Sequence, residues 1–188
     1  YLLVSGDVIR PELAPFVRRL REHAPEVVAY AHPGLRDFEA LRALADAGLT
    51  GLLLMIPAAD SRSMAHLTRE SATIRDLAVV IEAANRLGLT IEPDLPVLPE
   101  TVGSLADTVR RALARFRNPG AVHFTFTAGA ERGLPVPWDF RAAGPAVQEA
   151  LAVARDARIP VRLANPAPPP CVFSVGNADA DIYPLLLG

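Results

Sequence analysis

Four side chains that could bind a divalent metal ion lie on or just after apolar segments with the pattern of β-strands. They are His32, Glu92, Asp94 and His123. Imidazole and carboxylate groups are common ligands of divalent ions, so an inward-facing set of them would form a metal site. Because side chains alternate along a strand, Glu92 and Asp94 share one face, and His123 shares a face with Thr125. The sequence leaves open which faces point inward, and it contains no compact metal motif.

Two further positions carry groups capable of chemistry. Asp7 follows a strand-like segment and Gly6, where its carboxylate could accept hydrogen bonds from a ligand amine or cap the next helix. Cys171 could act as a nucleophile, although a buried, unreactive thiol also fits its position after three prolines.

The composition excludes several classes of protein. The chain has 188 residues, 51% of them apolar, and a formal charge of −2, which favours neither nucleic acid nor anionic lipid as a partner. Its single cysteine excludes an internal disulfide, a Cys-rich zinc site and an iron–sulfur cluster held by its own thiolates. No apolar run approaches the length of a membrane span and no signal peptide is recognisable, so we expect a cytoplasmic protein with no membrane partner.

The segments that must position these residues repeat one unit, a short apolar strand followed by a helix with 3.6-residue apolar spacing. This pattern predicts an α/β fold, with strands at 1–4, 27–31, 52–56, 90–95, 121–127 and 161–163. The length falls short of the roughly 250 residues of a complete eight-unit barrel. We therefore expect a partial (β/α) barrel with a curved, mostly parallel sheet of about six strands and outer helices.

Local signals set the expected boundaries. Asp37 should cap the second helix, while Gly48 and Gly88 should end helices. Residues 58–70 have the polarity of a long loop, and Pro93 and Pro96 should limit pairing in the fourth strand. The Pro-rich segment 165–170 should cross the domain in an extended form. The predicted barrel covers residues 1–173, and residues 174–188 form a C-terminal tail.

The order of these elements resembles the radical S-adenosylmethionine (radical SAM) superfamily. The segment Ser5-Gly6-Asp7 is similar to that family's Gly-Gly-Glu turn, and Ala31-His32-Pro33-Gly34 takes the place of its next strand-end turn. Met55-Ile56-Pro57 and Pro170-Cys171 match later landmarks in position. The resemblance implies that Ser5, Gly6, Asp7, His32 and Ile56 are the cofactor-binding positions.

The chain departs from that family where the cofactor would be held. It lacks the CxxxCxxC loop whose thiolates bind a 4Fe-4S cluster, and Ile56-Pro57 stands where a polar ribose contact is expected. The resemblance therefore implies a truncated member or a pseudoenzyme. A complete parent would use the cluster and S-adenosylmethionine, whereas this chain alone should be inactive and bind neither. The absence of an initiator Met also indicates a fragment.

Two other functions remain open. The first is a non-catalytic barrel that binds a peptide or a protein partner, as the altered cofactor positions suggest. The second is a metal-dependent barrel enzyme that uses His32, Glu92, Asp94 or His123. In each case we expect a small-molecule or peptide ligand, and the open barrel edge could support a homo-oligomer.

Overall fold

Seven parallel strands form one continuous sheet in a computed structural model, which describes residues 2–4, 9–68, 71–126, 143–164 and 181–182. Each strand pairs with the next along the chain, in the order β1 to β7. The strands are β1 (Leu2–Val4), β2 (Val27–Ala31), β3 (Gly51–Met55), β4 (Thr90–Pro96), β5 (Val122–Thr125), β6 (Val161–Ala164) and β7 (Asp181–Ile182). In the described part of the chain β1 and β7 do not pair, so the sheet is not closed.

This arrangement confirms the predicted α/β fold with a parallel sheet and outer helices. The described residues contain α1 (Ala14–Arg21), α2 (Phe38–Asp46), α3 (Ser61–Leu67), α4 (Ile74–Arg86), α5 (Leu105–Leu113) and α6 (Gly144–Asp156). Single turns of 3-10 helix, Pro11–Leu13 and Val102–Ser104, precede α1 and α5. The sequence prediction had six strands; β7 adds a seventh, within the segment expected to be a tail.

Most helix boundaries follow the signals in the sequence. The Asp37 carboxylate accepts a hydrogen bond from the amide of Ala40 at 2.8 Å, which caps α2 as predicted. Thr73 and Asp76 form a reciprocal capping box at the start of α4. Gly48 and Gly88 adopt positive φ angles of 112° and 69° just after α2 and α4, a conformation that favours glycine.

One local prediction was wrong, and another was confirmed only in part. The segment expected to be a long polar loop contains α3, whose first turn is capped by Asp60 through the amide of Ser63 at 2.8 Å. The expectation that Pro93 and Pro96 limit regular pairing in β4 was confirmed on one side only: Pro93 pairs with β3 and Pro96 with β5, but Pro93 has no partner in the ladder between β4 and β5. Helix α3 was not predicted within the expected loop because it is short and begins with polar residues.

A β-bulge explains how β4 accommodates Pro93 between two neighbours. Ile91 pairs with Pro119 and Asp94 pairs with His123, so three steps along β4 correspond to four steps on the β5 side. The extra residue interrupts the ladder opposite Pro93, the residue that has no amide proton to donate.

The two faces of the sheet have different compositions. The helix-covered face is apolar throughout and packs into two clusters, which contain Ala29, Leu52, Leu54 and Ile91 on one side and Leu95, Val122, Phe124 and Leu163 on the other. The opposite face, which we call the inner face, carries the alternate residues of the same strands. The ionisable residues of β4, β5 and β6 on this face are Glu92, Asp94, His123 and Arg162.

No helix in the described residues is long and apolar enough to cross a membrane. Several sequence predictions lie outside the described residues and are neither supported nor opposed by the structure. They are the turn Ser5-Gly6-Asp7, the Pro-rich segment 165–170 and Cys171.

Candidate functional site

Glu92, His123 and Arg162 form a hydrogen-bonded cluster on the inner face. The Nε2 atom of His123 lies 2.6 Å from Oε2 of Glu92, and Nη1 of Arg162 donates to the same oxygen at 3.2 Å. Glu92 and His123 are only 5% and 7% exposed. The guanidinium compensates the negative charge of the buried carboxylate, which would otherwise be costly to remove from water.

The contact fixes how the imidazole is oriented. A carboxylate can only accept, so Nε2 of His123 carries the proton that it shares with Glu92. Within the described residues, Nδ1 of His123 has no hydrogen-bond partner. A carboxylate that holds one ring nitrogen protonated leaves the other nitrogen as the basic atom, as in a catalytic dyad.

Asp94 lies beside His123, because the two residues are direct partners between β4 and β5. The hydroxyl of Thr125 donates to Oδ1 of Asp94. Burial raises the pKa of Asp94, while the Thr125 hydrogen bond and the charge of His123 act in the opposite direction. The net effect is a raised pKa, so Asp94 holds its proton more readily than an exposed aspartate does.

The bulge before β5 helps to bring these residues together. It shifts the register so that His123 lies opposite Asp94, while Gly120 lies against Glu92. A Cβ atom on Gly120 would be 2.5 Å from Cγ of Glu92 and 2.8 Å from Cγ2 of Thr90. Only glycine leaves room for the Glu92 side chain at this point.

The cluster has partly exposed neighbours on the same face. Met55 is the strand partner of Asp94, and Arg162 is the strand partner of His123. Met55 and Thr125 are half-buried, and the Arg162 side chain is 24% exposed. Solvent or a small ligand therefore has a route to the inner face beside the buried groups.

The structure brings three of the four predicted metal ligands onto one face but leaves the fourth apart. His32 follows β2, two strands away from Glu92, and its Nδ1 accepts the amide hydrogen of Gly34 at 3.0 Å. Desolvation by nearby atoms lowers its pKa. Among the residues the structure describes, no group of three or more His, Cys, Asp or Glu side chains is arranged to hold a metal ion.

Ile56, expected to contact a cofactor, is 2% exposed and packs in the apolar cluster on the helix side. Arg162, Thr125 and Gly120 were not among the site residues predicted from the sequence. The available signal was alternation: Arg162 is the one charged residue of β6, and it lies on the same face as His123 because the two are strand partners.

No protein-family model matches the chain, and no curated protein matches it either. Among solved structures, the chain is similar to the HpcH/HpaI aldolase from Desulfitobacterium hafniense DCB-2, with 10% identity and a TM-score of 0.42. The match covers 96% of this chain and 82% of that one. A likeness this distant supports no conclusion about substrate or reaction.

These comparisons correct the radical SAM identification. A solved structure similar to this chain is an aldolase, and no radical SAM family model matches the chain. The predicted function as a fragment or degenerate radical SAM enzyme was wrong, and the iron–sulfur and S-adenosylmethionine association of a parent protein falls with it. The resemblance to that superfamily rested on the order of strands and helices, which every βα-repeat protein shares.

Proposed function

We propose that this chain is a barrel-type enzyme domain that performs general acid–base catalysis on its inner face. His123 is the base, Glu92 and Arg162 orient it, and Asp94 is the acid. The observation that carries the proposal is the buried 2.6 Å contact between Glu92 and His123, which leaves Nδ1 as the basic atom.

A base beside a protonated carboxyl group is suited to one reaction class, proton transfer at a carbon next to a carbonyl. Nδ1 of His123 removes the C–H proton while Asp94 donates a proton to the carbonyl oxygen, which gives a neutral enol. Return of a proton from His123 to the carbon, with return of the enol O–H proton to Asp94, regenerates both groups. We therefore expect the ligand to be a small organic carbonyl compound.

Solvent exchange tests this function without knowledge of the natural substrate. The protein is incubated in deuterated water with a panel of 2-oxo acids, ketones and aldehydes, and loss of the α-proton signal is followed by NMR. At least one compound should exchange faster than in buffer. His123→Asn should reduce that enhancement about a hundredfold or more, the scale of one acid–base group.

His23→Asn serves as the matched control, because His23 is an exposed histidine remote from the inner face. Its exchange rate should equal that of the wild type. If folded His123→Asn protein keeps the full enhancement, or no compound in the panel exchanges above the buffer rate, the proposal fails.

A metal-dependent form of the site stays a prediction of the sequence analysis. Glu92, Asp94 and His123 favour it by sharing one face, although Arg162 and His123 already engage one oxygen of Glu92. Elemental analysis of protein purified without chelator tests it directly. A stoichiometric divalent ion that is lost in Asp94→Asn would support metal dependence, and its absence would leave acid–base catalysis by the side chains alone.

A further inference from the structure

A groove lies between α4 and α5 on the helix side of the sheet, on the face opposite to His123. Its empty volume is about 390 Å³, a figure that includes the open solvent at its mouth. One wall is the apolar stripe of α4 formed by Ile74, Leu77 and Ile81. The floor comes from the segment after β3, where Ile56 and Ala58 are buried.

The second wall of the groove is cationic. It is formed by α5 and the turn that follows it, and it includes Arg111, Ala112 and Arg115. Arg111 pairs with Asp107 at 2.7 Å, whereas no hydrogen bond or ion pair engages the Arg115 guanidinium within the described residues. None of the residues that line the groove is acidic.

Asn85 holds the two walls at a fixed separation. Its side-chain amide donates to the carbonyl of Arg115 at 3.1 Å, and its side-chain oxygen accepts from the amide of Arg117 at 3.0 Å. These bonds tie the end of α4 to the turn after α5. These bonds therefore bound the groove at the C-terminal end of α4, and Arg115 lies at that end.

We infer that this groove binds a small amphipathic anion, an aliphatic carboxylate whose chain lies along α4 and whose head group pairs with Arg115. Ile74 and Ile81 are seven residues apart, which corresponds to about 10 Å along the helix. A guanidinium with no partner among the residues that the structure describes favours a carboxylate through paired N–H donors. The apolar wall supplies the rest of the binding surface.

Titration calorimetry with octanoate tests the inference, with octanol as the uncharged probe of similar length. We expect saturable binding of octanoate, weaker binding of octanol, and NMR shifts at the methyl groups of Ile74 and Ile81. Arg115→Gln should weaken octanoate binding about fivefold or more, the effect of losing one charge-assisted contact near the surface.

Arg42→Gln is the matched control, since Arg42 is an exposed helical arginine on α2 with no described ion pair. It should leave the affinity unchanged. The inference is overturned if octanoate does not saturate, if octanol binds as tightly, or if Arg115→Gln behaves like Arg42→Gln. Because His123 lies on the other face of the sheet, His123→Asn should not alter octanoate binding, whatever the exchange assay shows.

Discussion

Replacing Glu92 with glutamine tests the buried cluster with the least change in shape. The glutamine side chain can still accept a hydrogen bond from Nε2 of His123, but it carries no charge for His123 or Arg162. Both contacts end on the same carboxylate oxygen, at 2.6 Å and 3.2 Å, so one substitution weakens both.

The expected loss follows from the two contacts. A hydrogen bond to a charged group contributes roughly 1 kcal/mol more than a neutral one, so the bond to His123 loses about that amount. The side chain of Arg162 is 24% exposed, so solvent screening reduces the loss at this contact to about half of that amount. We expect Glu92→Gln to lower the free energy of unfolding by about 1.5 kcal/mol, or Tm by about 3–6 °C for a chain of this length.

Urea and thermal unfolding of the variant measure this loss, and Glu82→Gln is the matched control. Glu82 pairs with Arg86 at 2.9 Å, but the two side chains are 48% and 74% exposed. Such a surface pair contributes about 0.3–0.5 kcal/mol. Equal, small losses of stability in the two glutamine variants would show that Glu92 does not form buried charged contacts with His123 and Arg162.

Three further substitutions, two of them with a matched control, test Asp94, the bulge at Gly120 and the turn after β4. Burial raises the pKa of Asp94, so as pH rises above 3.8 the folded state holds a proton that the unfolded state releases, and stability is lost. Asp94→Asn cannot ionise, so its unfolding free energy relative to wild type should increase from acidic to neutral pH in urea titrations; a constant difference would contradict this. Gly120→Ala should cost about 1–3 kcal/mol through the clash with Glu92. Gly103→Ala, with nothing within 4 Å of the added Cβ, should change stability by less than about 0.5 kcal/mol; equal effects in the two variants would remove the packing argument. Thr101→Val should cost about 1–3 kcal/mol, because the hydroxyl bonds two backbone groups in the buried turn after β4 at 2.6 and 2.9 Å, whereas Thr101→Ser should stay near wild type in the same unfolding assay.

The repeated strand–helix unit made the fold class predictable from the sequence. Apolar runs followed by amphipathic helices, with Asp37, Gly48 and Gly88 at helix ends, were sufficient to predict a parallel sheet with outer helices. The sequence could not show that β4 tolerates Pro93, because the compensation is a bulge on the neighbouring strand. That bulge depends on pairing between segments about 30 residues apart, which local patterns do not report.

The candidate site was only partly predictable. Alternation grouped Glu92 with Asp94 and His123 with Thr125, but it did not reveal that both pairs point to the same face. That result depends on the register between β4 and β5, which the extra residue near Gly120 changes. Arg162 joins the site from a strand 70 residues beyond Glu92, a contact that sequence spacing cannot indicate.

The protons of the His123 imidazole test the central claim most directly, that Glu92 holds this ring with Nδ1 as its basic atom. In alkaline solution, two-dimensional ¹H–¹⁵N NMR of the ring nitrogens should show one downfield proton on Nε2 that is protected from solvent exchange. In Glu92→Gln, whose neutral amide accepts a weaker hydrogen bond, this proton should move upfield and exchange faster. A proton on Nδ1, or a ring with no protected proton, would contradict the account.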